Sequence, residues 1–138
     1  MKMTKTKIQK IKEIAKKYKL ALILLFGSQV GDKKFLHKES DFDIGVLGQR
    51  KITPREEINL TCDFIKFFNS NKVDIVDLRK ANPLLLYEIF NSHKILFCKD
   101  KNVYEAFKIY AQRRYREARV LFELRKTLLK KFLNKYAK

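Results

Sequence analysis

The segment Leu20–Phe26 constrains the fold more than any other part of the chain, because all of its residues are apolar. Lys19 precedes this segment and Gly27-Ser28 follows it. A short, uninterrupted apolar run bounded by a charge and a glycine predicts a strand buried on both faces rather than a helix. Such a strand has to lie inside a sheet that is covered by helices on both sides.

Two aspartates precede the next apolar segment, in the sequence Ser40-Asp41-Phe42-Asp43 followed by Ile44–Leu47. The apolar segment predicts a second strand. Because side chains alternate along a strand, Asp41 and Asp43 are expected on one face, with Cα atoms about 6.6 Å apart. Two carboxylates at this separation repel each other and favour a bound cation. Oxygen ligands of this kind suit Mg²⁺ or Mn²⁺, which proteins hold with one or two carboxylates plus substrate phosphates.

The Gly27-Ser28 corner has the properties of a phosphate-binding turn. Glycine allows a close approach of the backbone, and a hydroxyl together with free N–H groups of a following helical turn donates to an anion. The order of strand, Gly-Ser corner and paired aspartates therefore indicates one site for phosphate and metal. The sequence contains no Walker A pattern, which disfavours a P-loop ATPase.

A third acidic position lies in residues 72–78, which are rich in β-branched residues and predict another strand. Asp74 and Asp77 are three residues apart, so they are expected on opposite faces of this strand. If the apolar neighbours pack inward, Asp74 joins the first two carboxylates and Asp77 caps the end of the strand. The sequence leaves open which of the two is the third metal ligand.

Helical patterns separate the predicted strands. They cover Thr4–Tyr18, a segment that begins at the Thr53-Pro54 capping box and ends near Asn69, and Leu84–Asn91, with a last short strand at Ile95–Cys98. Alternating strands and helices predict an α/β fold with a small mixed sheet and helices packed on it. In the helix after Thr53, the inward face is predicted to hold Ile58, Cys62, Ile65 and Phe68.

The cysteines and histidines suggest no metal site or disulfide. Cys62 and Cys98 have no C-x-x-C spacing, and they are interpreted as reduced core residues. His37 and His93 are isolated in the sequence and are predicted to be surface residues without a catalytic role.

The last part of the chain, from Asn102 to Tyr136, has helical periodicity without proline or glycine. One straight helix of this length would extend about 50 Å, whereas a domain of this size has a radius of gyration near 13 Å. The alternative is a helix pair broken near Arg113-Arg114. In either case an apolar surface that extends beyond the sheet needs a partner, either a second copy or another protein.

The net charge is +17, with most of the excess near the two ends of the chain. This charge would attract polyanions such as nucleic acid. Lysines also fill the solvated faces of amphipathic helices, so nucleic-acid binding is possible but not favoured. No apolar run is long enough to cross a membrane and no secretory signal pattern precedes the first strand, so the protein is expected to be cytoplasmic.

The motif of Gly27-Ser28, Asp41-Phe42-Asp43 and a third aspartate on a later strand resembles the DNA polymerase beta nucleotidyltransferase superfamily. The small size is similar to its minimal nucleotidyltransferase (MNT) branch, over about residues 8 to 98. The resemblance implies a nucleotidyltransferase domain at residues 1–100, with residues 101–138 as a helical extension of the same single domain. It also implies that Asp41, Asp43 and Asp74 are catalytic and bind two Mg²⁺ ions, and that Gly27, Ser28 and Ser40 contact ATP.

The resemblance further implies an antitoxin that transfers AMP from ATP to a tyrosine of a separate HEPN ribonuclease toxin. Two alternatives remain at this stage. The chain either neutralises a partner by contact alone, or transfers a nucleotide to a small molecule or an RNA end.

Overall fold

A computed structural model describes residues 4–27 and 41–136. Within these ranges the elements are α1 (Lys5–Lys17), β1 (Leu20–Phe26), β2 (Phe42–Gly48), α2 (Pro54–Phe68), β3 (Val73–Asp77), α3 (Pro83–Asn91), β4 (His93–Cys98) and α4 (Lys101–Tyr136). The strands form one sheet in the order β3-β2-β1-β4. Strand β1 pairs antiparallel with β2 and β4, and β2 pairs parallel with β3, so the predicted mixed sheet is confirmed.

Strand β1 occupies the interior of the sheet and is apolar on both faces. Leu22, Ile23 and Leu24 are completely buried. Leu22 and Leu24 pack into one hydrophobic cluster, whereas Ile23 and Leu25 pack into the cluster on the opposite face. Burial of each such side chain contributes about 1.5–3 kcal/mol. The apolar run thus supplies part of both cores.

Two pairs of helices cover the two faces of the sheet. Residues of α1 and α2 complete the first cluster, and residues of α3 and α4 complete the second. The buried helical residues are Ile11 and Ala15 in α1, Leu60 and Phe64 in α2, Leu86, Ile89 and Phe90 in α3, and Ala111 in α4. The molecule is therefore an α/β sandwich with the sheet in the middle layer.

The start of α2 follows the predicted local chemistry. The Thr53 side chain accepts a hydrogen bond from the backbone N–H of Glu56, and the Glu56 carboxylate accepts one from the Thr53 N–H. Pro54 occupies the first turn, where its missing N–H costs nothing. At the other end, Asn69 adopts a left-handed conformation with φ 51° and caps the helix.

The predicted inward face of α2 was wrong for two residues. Ile58 is 65% exposed and Cys62 is exposed, whereas Leu60 and Phe64 are buried. The Phe64 ring stacks with that of Phe68 at a centroid distance of 6.0 Å. Because an aromatic ring buries more apolar area than the Ile58 or Cys62 side chain, the helix presents the phenylalanine face to the sheet. Cys62 is therefore not a core residue.

Helix α4 is one unbroken helix, so the predicted alternative of a break near Arg113-Arg114 is not observed. Its first half packs on α3, where Ala111 is buried and Tyr87 stacks on Tyr115 at 3.8 Å. Residues 119–136 are exposed along their whole length. None of the described helices is both long enough and apolar enough to span a membrane.

Candidate active site

Four residues form a row across one end of the sheet. At this end β1 stops and the other three strands begin, and the pairing register places His93, Phe26, Asp43 and Asp74 side by side on successive strands. Adjacent strands lie about 4.8 Å apart. The parallel pairing of β2 with β3 therefore brings Asp43 next to Asp74, although 31 positions separate them in the sequence. Asp41 lies just before β2 and is exposed.

The carboxylates of Asp41 and Asp74 act electrostatically on Asp43. The pKa of Asp43 is raised, first because its carboxyl group is partly buried and then because the carboxylates of Asp74 and Asp41 are close to it. Like charges that raise a pKa in this way mark a site that is stabilised by a cation. The expectation that Asp41, Asp43 and Asp74 come together is therefore consistent with the register and with the charge coupling.

Gly27 closes the site at the end of β1. Its φ angle is +78°, and a Cβ atom built at this position would overlap Oδ2 of Asp43. The residue thus has to be glycine for two reasons, the left-handed backbone and the close approach of the Asp43 carboxylate. Ser28, Ser40 and His37, the other predicted residues of this loop, lie outside the described residues.

We expect Gly27→Ala to lower both stability and the nucleotidyl transfer that the sequence resemblance implies. The left-handed backbone alone costs a non-glycine residue about 1–2 kcal/mol of stability. The added methyl group should also displace the Asp43 carboxylate, and this displacement should lower the activity. Asn69→Ala is the matched control, because it places alanine at a similar positive φ far from the carboxylates. Urea unfolding should give a lower free energy of unfolding for both variants, whereas only Gly27→Ala should have a lower rate of nucleotidyl transfer. Full activity of Gly27→Ala would show that the contact with Asp43 has no functional role.

The donor set fits a magnesium ion that shares its coordination with a substrate. Among residues 4–27 and 41–136, no three His, Cys, Asp or Glu side chains form a complete metal-binding group. Mg²⁺ does not require such a group, since it is usually bound through one or two carboxylates, waters and substrate phosphates. Paired carboxylates beside a glycine turn provide that partial set.

Asp77 occupies a different environment from Asp74. It lies beside Val46 in the sheet register and is 6% exposed. Its Oδ1 atom accepts a hydrogen bond from the backbone N–H of Arg79 at 3.0 Å, while Oδ2 has no hydrogen-bond partner among the described residues. Asp77 therefore caps the end of β3, and of the two candidates it is Asp74 that lies next to Asp43.

The sequence did not identify the environment of His93. This residue was predicted to be an isolated surface histidine, but it is half-buried, with Nε2 at 2.8 Å from the Tyr104 hydroxyl and Nδ1 at 3.1 Å from the Ile89 carbonyl. Burial lowers the pKa of its imidazole. The prediction was wrong because these partners come from α3 and α4, and the local sequence around His93 does not indicate contacts with them.

Residues 9–102 match the Polymerase beta, Nucleotidyltransferase family. Among curated proteins, no sequence matches this chain significantly. The fold is similar to one chain of a crystal structure of a toxin–antitoxin with AMP-PNP. That chain has 26% identity and a TM-score of 0.70, and the match covers 91% of this chain and 98% of that chain.

Two further structures show the same likeness. One is a tri-AMPylated Shewanella oneidensis HEPN toxin in complex with MNT antitoxin, with 25% identity, a TM-score of 0.67 and coverage of 93% of this chain and 97% of that chain. The other is a mutant of the toxin–antitoxin MntA-HpeT, with 25% identity, a TM-score of 0.69 and coverage of 91% and 98%. The family match spans more than half of the chain and includes every described aspartate of the site. The protein belongs to the Polymerase beta nucleotidyltransferase family.

Proposed function

We propose that this protein is a Mg²⁺-dependent nucleotidyltransferase that acts as an MNT antitoxin by transferring AMP from ATP to a tyrosine of a HEPN-type toxin. The observation that carries the proposal is the pairing of Asp43 with Asp74 beside the Gly27 turn, with Asp41 close enough to raise the pKa of Asp43. A reaction that consumes ATP and modifies a co-produced protein belongs in the cytoplasm.

The chemical step is a displacement at the α-phosphorus of ATP. The tyrosine oxygen forms a bond to this phosphorus, the bond to the oxygen that bridges to the β-phosphate breaks, and pyrophosphate leaves with the electron pair. The hydroxyl proton passes to a carboxylate of the site, and we assign this role to Asp74, which is exposed and is paired with Asp43 in the sheet register. Most of the rate gain in such transfers comes from positioning and charge neutralisation.

Asp41, Asp43 and Asp74 would hold two Mg²⁺ ions, which when bound neutralise the triphosphate and lower the pKa of the attacking hydroxyl. Gly27 brings the end of β1 close to the carboxylates, and Ser28 and Ser40 would donate to the phosphates. The close approach of Gly27 to the Asp43 carboxylate would restrain where a bound triphosphate lies.

The choice of AMP and of a toxin as acceptor rests on the similar structures. One contains AMP-PNP, an analogue of ATP, and another contains a HEPN toxin that carries AMP groups beside an MNT antitoxin. Both matches cover nearly the whole of each chain, so the likeness includes α4 as well as the sheet.

The exposed part of α4 provides the surface by which a toxin is held. We call residues 119–136 the α4 tip. At 100° per residue, its large apolar side chains cover about 220° of the helix surface. The members are Val120, Leu121, Phe122, Leu124, Leu128, Leu129, Phe132, Leu133 and Tyr136. These residues are 51–67% exposed, and an apolar area of this kind marks a protein interface.

Calorimetry with ATP tests the site. We expect ATP to bind only weakly in EDTA and at least about 10-fold more tightly with Mg²⁺, because the carboxylates repel a free triphosphate. AMP is the control ligand, since it lacks the two phosphates that share the metal. Equal affinity for ATP with and without Mg²⁺ would contradict the metal assignment.

A further inference from the structure

The end of the sheet opposite the aspartates has a basic groove. Its first part is a concavity of about 570 Å³ lined by residues of α1, by the first residue of β1 and by the ends of β2 and β4. Four lysines surround it: Lys12, Lys16, Lys19 and Lys99. Among the residues that the structure describes, no acidic side chain lines this part. Six residues of β1 separate this end of the sheet from Phe26, which is about 20 Å along the strand.

The fold gathers these lysines from distant parts of the sequence. Lys12 and Lys16 are one helical turn apart on α1 and therefore lie on the same face, about 6 Å apart along its axis. Lys19 follows the helix, and Lys99 follows β4, whose neighbour in the sheet is β1. All four are exposed, and none forms an ion pair with an acidic side chain of the described residues.

The wall of the groove also contains an aromatic ring and an amide. Phe97 is half-buried, and Gln49 lies at the boundary of the concavity. The Lys99 ammonium group donates a hydrogen bond to Oε1 of Gln49 at 3.1 Å. This contact fixes the orientation of the amide, so the NH₂ group of Gln49 remains available as a donor to a ligand.

A second concavity of about 360 Å³ continues the groove, and it shares Gln49 and Lys99 with the first. Arg79 lies along it and donates from its guanidinium group to the Gly48 carbonyl at 2.8 Å, which leaves its other N–H groups for a ligand. Asp100 is the acidic residue that lines the second concavity, and its carboxylate accepts a hydrogen bond from the backbone N–H of Asn102 at the start of α4. The groove is therefore an extended basic track rather than a single anion pocket.

We propose that this basic groove binds single-stranded RNA. Successive cations along a track match the repeating phosphates of a strand, and an aromatic ring among them offers a base a surface for stacking. An acidic peptide would satisfy the lysines but would make no use of the half-buried Phe97 ring that lines the groove beside a free amide donor. Since the groove lies at the far end of the sheet, it is an RNA-anchoring site and not the acceptor site for AMP.

The test is fluorescence anisotropy of the full chain with a labelled oligouridine of about 12 nucleotides, over about 50 to 200 mM salt. We expect Lys16→Glu with Lys99→Glu to weaken binding at least 10-fold. The slope of log affinity against log salt should fall in magnitude by about 1.4, since each lost contact with a single strand accounts for about 0.7. The milder pair Lys16→Gln with Lys99→Gln should lower the slope in the same direction.

The control is Lys126→Glu with Lys130→Glu, which makes the same charge change on the exposed α4 tip. It should alter the RNA affinity less than 3-fold. The groove variant, Lys16→Glu with Lys99→Glu, should leave the transfer of AMP unchanged. An equal loss of RNA affinity in the control would mean that net charge alone attracts the RNA. That result would contradict the proposal that the groove is the binding site.

Phe97→Leu separates RNA from other polyanions. Loss of one stacking contact should weaken oligouridine binding at least about 5-fold, since such a contact contributes about 1–3 kcal/mol. Binding of inorganic polyphosphate, which has no bases, should not change. If polyphosphate or polyglutamate binds as tightly as the oligonucleotide, or if Phe97→Leu has no effect on RNA, the assignment to RNA is wrong.

Discussion

Asp43→Asn should abolish the transfer of AMP while it leaves the fold intact. Changes in the surroundings of a metal ligand typically cost 10–100-fold, and the loss of a ligand should cost at least about 100-fold. The measurement is the initial rate of label transfer from ATP to the HEPN partner. Asp100→Asn is the matched control, because asparagine also serves as a helix cap, and it should keep the wild-type rate.

The same substitution should raise thermal stability at neutral pH in the absence of divalent ions. Burial and the neighbouring carboxylates raise the pKa of Asp43 above the ordinary value for an aspartate side chain. The native state thus binds the Asp43 proton more tightly than the unfolded state does. The free energy of unfolding therefore falls as the pH rises from the unfolded-state pKa of Asp43 through its native-state pKa. Asparagine cannot ionise, and the difference in Tm should vanish below the unfolded pKa.

Addition of Mg²⁺ tests whether the Asp43 carboxylate binds a metal ion. It should raise the Tm of the wild-type protein and change that of Asp43→Asn much less, because the ion binds the native carboxylates. A wild-type Tm that is insensitive to Mg²⁺, or a variant that transfers AMP at the full rate, would contradict the assignment of Asp43.

Leu121→Glu with Leu128→Glu should weaken toxin binding at least about 100-fold. The two residues are seven positions apart on one face of the α4 tip and are 65% and 56% exposed. Each buried leucine contributes about 1.5–3 kcal/mol, so the loss of two exceeds the 2.7 kcal/mol that corresponds to 100-fold. Surface plasmon resonance with the purified HEPN toxin measures the dissociation constant.

The control places the same added charge on the polar face of the same helix, with Thr127→Glu and Asn134→Glu. Its affinity for the toxin should change less than about 3-fold. Truncation after Lys101 is a poorer test, because Tyr104, Phe107 and Ala111 contribute to the core. Unchanged toxin affinity in Leu121→Glu with Leu128→Glu would exclude the tip as the toxin surface. A simultaneous loss of self-association would assign the tip to a second copy of the chain.

The sequence predicted those features that depend on neighbouring residues. Seven apolar residues in a row define β1, and Thr53, Pro54 and Glu56 define the start of α2, because strand burial and helix capping are local properties. The proximity of Asp41 and Asp43 follows from the same local geometry. That Asp74 rather than Asp77 lies beside them was open until the parallel register of β3 was known.

The features that the sequence did not predict depend on packing between distant segments. The rotation of α2 follows from competition between two apolar faces for the same sheet, and the aromatic face with Phe64 is the one that packs inward. The contact between His93 and Tyr104 joins β4 to α4. The lysines of the basic groove are unremarkable on a helical wheel, and only the order of the strands places Lys99 beside those of α1.

Mass spectrometry of the HEPN toxin tests the central claim most directly. The toxin is incubated with this protein, ATP and Mg²⁺, digested, and compared with samples that contain Asp43→Asn or EDTA. We predict a tyrosine-containing peptide that gains the mass of one AMP residue only in the wild-type sample with Mg²⁺. A toxin that is inhibited but remains unmodified in that sample would contradict the account and would make this protein an antitoxin that acts by contact alone.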